Sequence, residues 1–329
     1  MQKNIPNAHP LLGKTVVITG ASSGVGRAAA LEFAKAGANL VLAARGLEGL
    51  QSIQSECQGW GGDIRIQQTD VTIAGEVAQL AAAASQVTGI LDVWVNNAGV
   101  LAVGPLEEMP ADVIGSVIKT DLLGYLHGAH AALPYFKKQK RGVLINNISI
   151  GGFVPAPFGT AYTAAKFGLR GMVEALAGEL ARFPDIHVCA LYPSFMDTPG
   201  IKHAANYMGV KLGNPPGFDP VNLGKSMVKL ALNPKISAWP DWAAPLLRVG
   251  YGLFPSLTRY LSGMGFNLYR KEGAAAPLTA GNTLEATEND LRVHGETEQK
   301  RAVKSGVKKV ALGVLALGIV WMAVKPKGR

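Results

Sequence analysis

Lys14-Thr15-Val16-Val17-Ile18-Thr19-Gly20-Ala21-Ser22-Ser23-Gly24-Val25-Gly26-Arg27-Ala28-Ala29-Ala30 is the stretch that decides the fold. Val16, Val17 and Ile18 read as a short buried strand. Thr19 to Gly26 read as a tight turn. Ala28, Ala29, Leu31, Phe33 and Ala34 recur at helical spacing after it. A strand, a glycine-rich turn and a helix aim unpaired backbone N–H groups and the positive end of the helix at one point, where a pyrophosphate sits well. Gly20 permits the turn, Gly24 lets the backbone approach a ligand, and Gly26 lets helix and strand pack closely. Ser22, Ser23 and Val25 complete the loop. The spacing is G-x-x-x-G-x-G, distinct from G-x-G-x-x-G.

Outward from this stretch, strand patterns alternate with helix patterns. The strands are expected at Thr15–Thr19, Leu40–Ala44, Ile64–Gln68, Asp92–Val95, Val143–Ile148 and His187–Leu191. The helices are expected at Gly24–Ala36, Leu47–Gln58, Ile73–Thr88, Pro110–Phe136 and Thr160–Arg182. Such alternation predicts an α/β fold, a doubly wound parallel sheet whose ligands bind beyond the carboxyl ends of the strands. Thr198 to Gly217, rich in Gly, Pro and aromatics, reads as a mobile loop over a pocket. A helix follows from Asp219-Pro220 to about Leu232, then a last strand at Ile236–Trp239. Leu246 to Leu261 has helical spacing interrupted by Pro255, and 272–299 is polar and irregular. The domain reading is therefore a dinucleotide-binding catalytic domain over 1–240, an extension over 241–299 and a basic tail over 300–329.

The net charge of +9 does not point to nucleic acid. Eight basic residues and no acidic ones lie between Lys300 and Arg329, which leaves the first 299 residues at +1. Within the tail, Val310 to Val324 is an uncharged run between Lys308-Lys309 and Lys325. As a helix it would be about 22 Å long, against a hydrocarbon core of about 30 Å. Flanking lysines can snorkel, so a membrane partner is expected, on its cytoplasmic face. The rival reading is a short helix docked on the protein itself or on a second subunit. No apolar run follows Met1, so no secretion signal is expected. Cys57 and Cys189 suggest neither a disulfide framework nor a metal site.

Tyr162 and Lys166, four residues apart on a helix, share one face. A nearby ammonium favours the phenolate of a tyrosine, whose free pKa is about 10. The pair therefore suits general acid–base chemistry. Ser149, at the end of the Val143–Ile148 strand, is placed to hydrogen-bond a substrate oxygen. The strand Leu40–Ala44 runs into Arg45 with no acidic residue near its end. An arginine there meets a ribose 2′-phosphate, which selects NADP(H) over NAD.

Together these residues resemble the short-chain dehydrogenase/reductase family in its compact single-domain branch, a Rossmann fold. The resemblance spans about Gly13 to Thr198 and rests on five motifs in order: Thr19–Gly26, Asp70-Val71, Asn96-Asn97-Ala98-Gly99, Ser149 with Tyr162 and Lys166, and Pro193 to Thr198. It implies that Ser149 orients the substrate carbonyl and that Tyr162 exchanges the proton. Lys166 would lower the tyrosine pKa and bind the nicotinamide ribose. Asp70 with Val71 would meet the adenine, Asn97, Ala98 and Gly99 would line the groove, and Pro193 and Thr198 would lie at the nicotinamide end. Two positions depart from the family pattern. Asp121 stands where the family has an asparagine that supports a water relay to the lysine, and an ionised Asp only accepts hydrogen bonds. Pro193-Ser194 replaces Pro-Gly.

The candidate substrate side is apolar: Leu101, Val103, Phe153, Val154, Pro155, Pro157, Phe158, Phe195, Met196, Tyr207 and Met208. With the membrane-directed tail it favours a small lipophilic alcohol or ketone. The expected reaction is NADP(H)-dependent hydride transfer, in the direction of carbonyl reduction under a reducing NADP pool. A rival from another class is a membrane-associated NADP-binding scaffold or sensor, with Asp121 marking relaxed catalysis. Nucleotide-sugar epimerisation fits the turn spacing and length poorly. The aromatics from Trp239 to Tyr269 fit an interfacial belt, a lid or a contact in a homo-oligomer, and these stay open.

Overall fold

The computed structural model describes residues 9–213, 217–287 and 290–295. Strands and helices alternate as β1 (Thr15–Thr19), α1 (Gly24–Lys35), β2 (Asn39–Ala44), α2 (Leu47–Cys57), β3 (Ile64–Gln68), α3 (Ala74–Thr88) and β4 (Val93–Asn96). After a two-residue strand β5 (Ala102–Val103) come α4 (Ala111–Ile118), α5 (Gly124–Gln139), β6 (Gly142–Asn147), α6 (Thr160–Glu179) and β7 (Ile186–Leu191). The chain closes with α7 (Gly200–His203), β8 (Ala205–Asn206), α8 (Pro220–Leu232), β9 (Ser237–Ala238), α9 (Ala243–Leu253) and α10 (Pro255–Glu272).

Seven strands form one parallel sheet in the order β3-β2-β1-β4-β6-β7-β9. The alternation of side chains explains the nearly continuous apolar runs. In β1, Val16 and Ile18 enter the core beneath α1 and α8, with Phe33, Leu223 and Met227. Val17 points to the other layer, against Trp94, Leu80, Phe136 and Leu169 of β4, α3, α5 and α6. Both faces are covered, so the strands carry little polar alternation. The strand order reverses between β1 and β4. Ligands of such sheets bind outside the strand ends at that crevice.

Three local outcomes differ from the expected pattern. The helix expected over Pro110–Phe136 is broken by a π-helical turn at Lys119–Leu123, which carries Asp121, and it runs on to Gln139. Such single turns cluster at functional sites because they re-aim one side chain. The Leu246–Leu261 pattern divides at Pro255 into α9 and α10, and α10 extends to Glu272. The loop after Thr198 contains α7 and β8, the latter paired in parallel with β5.

The described residues of 273–287 and 290–295 have no helix or strand, yet they are fastened at several points. Val210 and Ala275 form one bridge and Asn206 and Thr279 another. The Arg45 guanidinium donates to the carbonyls of Asn282 (2.5 Å) and Glu285 (3.3 Å). The amide of Gly24 donates to the carbonyl of Arg292 (2.9 Å), and that of Gly295 to Asp197 (3.2 Å). Asp290 accepts from Arg292 and Lys202, both at 2.7 Å, which hold its carboxyl down to about 2. This strap crosses the glycine turn. The tail 300–329, with Val310–Val324, lies outside the described residues. Among the described residues no helix is long and apolar enough to cross a membrane.

The turn itself has no room for side chains at its closest point. A Cβ on Gly26 would lie 2.0 Å from the Gly20 carbonyl oxygen and 2.6 Å from Asn97 Nδ2. Gly26→Ala is therefore expected to push α1 off β1. Overpacking of this kind costs about 1–3 kcal/mol, to be read as a lower urea midpoint with an unchanged slope.

Candidate active site

The end of β6 starts the site. Ser149 follows this strand with φ +98°, a conformation L-residues adopt rarely and one that concentrates at functional positions. Its backbone amide reaches back to Leu191 (3.3 Å), while its Oγ accepts from the Gly151 amide at 3.1 Å. Tyr162 and Lys166 come from the first two turns of α6. The three side chains converge around Gly151. A Cβ there would be 3.0 Å from Tyr162 Cε1, 3.5 Å from Ser149 Oγ and 3.8 Å from Lys166 Cβ. The spacing of Tyr162 and Lys166 thus becomes one surface with Ser149 opposite.

Lys166 is buried, with Nζ lying 5.4 Å from the Tyr162 ring centroid and 4.9 Å from that of Tyr125. Asp121, on the π-helical turn, points Oδ2 at Lys166 Nζ (3.2 Å) and accepts the Val100 amide on Oδ1 (2.7 Å). Asp121 is 1 % exposed, so this is a buried ion pair beside the tyrosine. Burial works to lower the lysine pKa, but the carboxylate and the two phenols outweigh it and hold the ammonium charged. Burial also moves the Asp121 carboxyl above its ordinary value of 3.8, against the pull of Lys166 and the Val100 amide. Tyr125 is pushed up to about 12 by burial, and its hydroxyl donates to the Asn147 carbonyl (2.8 Å). An asparagine at 121 would leave the ammonium without a counter-charge.

Asparagines tie this group to the glycine turn. Asn147 donates to Asn97 Oδ1 (3.0 Å), and Asn97 donates through Nδ2 to the Thr19 carbonyl (3.0 Å). Thr19 Oγ1 accepts the amides of Asn97 and Ala98 (3.0 and 3.2 Å). Ala98 closes against Gly20, where a Cβ would lie 2.7 Å from Ala98 Cα. Gly99 faces both Asp121 oxygens across 3.5 Å by the same measure, and Thr198 Cβ stands 3.3 Å from a Cβ placed on Gly24. Pro193 accepts the Ile150 amide through its carbonyl (2.8 Å), which sets the strand end beside Ser149. The Ser194 amide is held by Asp241 (2.8 Å). Val25 packs against the first core, and Ser23 precedes α1 in an extended conformation.

Arg45 directly follows β2. Burial lowers its pKa, opposed by the charge of Asp70. Asp70 itself accepts the Thr72 amide (2.9 Å) next to buried Val71. Ser22 lies beside Gly49, whose other neighbour is Leu291 of the strap.

The apolar residues separate into groups. Val103 and Met208 pack with Leu101, Phe158 and Phe266 of α10. Tyr207 and Tyr162 share a cluster with Val100 and Ala102. Phe153 stands apart, edge-on to Tyr192 (4.8 Å) with Arg170 and Arg248 over its ring. Phe195 is exposed and Met196 packs against the first core. Tyr125, Asn147 and Val100 were not singled out by sequence reasoning. Tyr125 was the detectable one, four residues beyond Asp121 on the same helical run.

A family described as short chain dehydrogenase matches residues 14–207. The chain is 36% identical over 188 residues to a D-beta-hydroxybutyrate dehydrogenase of Rhizobium meliloti, covering 56% of this chain and 72% of that one. An alcohol dehydrogenase from the archaeon Thermococcus sibiricus, complexed with 5-hydroxy-NADP, is similar in structure with TM-score 0.60 and 28% identity, over 69% of this chain and 95% of that one. A metagenomic short-chain oxidoreductase in complex with NADP has TM-score 0.60 and 29% identity, over 71% of this chain and all (100%) of that one.

Proposed function

The chain belongs to the short chain dehydrogenase family, and from that premise we propose that it is an NADP(H)-dependent oxidoreductase acting on a secondary alcohol or ketone of a small apolar molecule. The observation that carries this reading is the convergence of Ser149, Tyr162 and Lys166 around Gly151 beside the glycine turn. The cradle fits a dinucleotide: Cβ-free contacts at Gly20 and Gly26, Thr198 against Gly24, and a guanidinium at the end of β2. The NADP-bound relatives described above support the choice of cofactor.

When bound, NADP(H) supplies or accepts the hydride. Ser149 would donate through Oγ to the substrate oxygen and orient it. Tyr162 would give its phenol proton to that oxygen in reduction and take it back in oxidation. Lys166, kept charged by Asp121, would reach the ribose and the phenol from one buried position. Gly20, Ser22, Ser23, Gly24, Val25 and Gly26 would hold the phosphates; Asp70, Val71, Asn97, Ala98 and Gly99 the adenosine side; Pro193 and Thr198 the nicotinamide side. Leu101, Val103, Phe158 and Met208 support an apolar substrate because they gather next to the Tyr162 cluster. The domain division at 240 and 299 and a membrane-directed tail at 300–329 belong to the same reading.

Turnover of NADPH with a panel of small and lipophilic ketones tests the activity, and absence of turnover across the panel overturns it. Arg45→Ala tests the phosphate site. NADPH binding is expected to weaken about tenfold or more, the worth of a charge-assisted bond, while NADH loses only what the strap contributes through Asn282 and Glu285. Equal losses for both, read by cofactor fluorescence titration, remove Arg45 from the phosphate site.

A further inference from the structure

Helices α9 and α10 follow the last strand and leave apolar faces uncovered. Trp242, Leu246, Val249 and Leu253 fall at i, i+4, i+7 and i+11, a single stripe along α9. Leu257, Tyr260, Met264 and Leu268 make a second stripe along α10. All eight are between 42 and 68% exposed. The helix α10 is docked by its other side. Leu261 is buried, the Phe266 ring meets Phe158 (5.8 Å), Tyr269 donates to the Lys211 carbonyl (2.6 Å), and Arg270 pairs with Glu108 (2.8 Å). The stripes are thus what remains once α10 has made its contacts. Eight large apolar side chains exposed on two consecutive helices are more than a soluble monomer ordinarily leaves without a partner.

Three observations select the occupant. First, the stripes mix aromatic and aliphatic side chains, and the exposed cations Arg259 and Lys271 lie on the same helix, where Glu272 is the one acidic residue between 242 and 272. That combination suits a surface with anionic head groups over hydrocarbon. Second, the described chain ends beside the first stripe. His294 contacts Asp219 (2.9 Å), and the neighbouring Phe218 meets Trp242 edge-on at 6.0 Å. The basic residues of 300–329 come next in the sequence after this point. Third, every residue from Val310 to Val324 is apolar or glycine. Laying that segment on α9 and α10 would cover one side of it and leave the other bare, whereas a bilayer covers both.

We propose that the outer stripes of α9 and α10 are the surface by which this protein lies on an anionic phospholipid bilayer. The choice of occupant rests in part on reading 300–329 as membrane-directed, and the test separates the two. In the full-length protein, Leu253→Cys carries an environment-sensitive fluorophore; Cys57 and Cys189 are buried and stay unlabelled. A control label sits at Gln51→Cys on α2, towards the opposite edge of the sheet. With vesicles of phosphatidylcholine and phosphatidylglycerol, the label at 253 is expected to shift to the blue and the label at 51 to stay unchanged. Leu253→Glu with Tyr260→Glu is expected to lower vesicle partitioning about tenfold or more. Flotation of the protein with no shift at 253 assigns binding to the tail alone and overturns the proposal. A dimer in solution that the double substitution dissolves, with no flotation, assigns the stripes to a second copy and equally overturns it. NADPH turnover on a soluble ketone, measured on the same labelled protein, reports the oxidoreductase reading separately.

Discussion

Tyr162→Phe is expected to leave NADPH binding intact and to lower turnover by about 10²–10⁴-fold, the range for loss of a positioned general acid. The substitution removes one oxygen and keeps the ring that packs in the Val100–Ala102–Val113 cluster and lies near Lys166 Nζ. Folding should therefore be unaffected, and a thermal midpoint like that of the parent is the control. Single-turnover mixing of enzyme, NADPH and ketone separates the chemical step from cofactor exchange. Turnover near the parent value would show that the proton comes from another group. Among the described residues, the other phenol close to Lys166 is Tyr125, whose hydroxyl is committed to the Asn147 carbonyl and pushed up to about 12.

The second large effect is expected at Asp121, and it depends on what replaces it. Asp121→Leu removes the counter-charge from an ammonium that is 4% exposed and orphans the Val100 amide. Breaking a buried pair from one side costs about 3–5 kcal/mol, to be read from urea unfolding. Asp121→Asn keeps an acceptor oxygen for the Val100 amide but not the counter-charge of Lys166, so the fold should lose less than with leucine, and turnover should stay or rise. Its signature lies in the pH–rate profile. In the parent, Asp121 takes up a proton above its ordinary value of 3.8 because it is buried. The parent profile is therefore expected to carry an acid limb above that value, and the asparagine variant to lack it. An unfolded Asp121→Asn protein would make this residue a structural partner of Lys166 and nothing more.

Much of this was legible in the residues because the signals were local. The β-branched run at Val16–Ile18, the glycines at 20, 24 and 26 and the Tyr162/Lys166 spacing each report on one strand, turn or helix face. The sheet and the converging triad follow from them. What stayed hidden was non-local. Nothing in the Asp121 neighbourhood marks a π-helical turn, because the hydrogen-bond shift that makes it depends on what the helix packs against. The short β5–β8 pair joins residues a hundred positions apart, and two residues carry no period. The segment 272–299 reads as polar and irregular, and its described part beyond α10 has no helix or strand. Its placement comes from single hydrogen bonds to Arg45, Gly24 and Asp197, which leave no pattern in composition.

That strap also sets a timetable for the molecule's synthesis. Arg45 and its acceptor at Asn282 are 237 residues apart. At ribosomal speeds of about 5–20 residues per second, roughly 10–50 s separate their appearance. During that interval the sheet can assemble from β1 to β7, and the glycine turn, Ser149, Tyr162 and Lys166 are all made, while Gly24 still presents its amide to solvent. The nascent enzyme thus passes through a stage in which the turn is built and uncovered, before the closing carbonyls of Asn282, Glu285 and Arg292 exist. A dinucleotide that binds at that stage enters a site with no strap to displace, and the strap, translated later, then closes behind it.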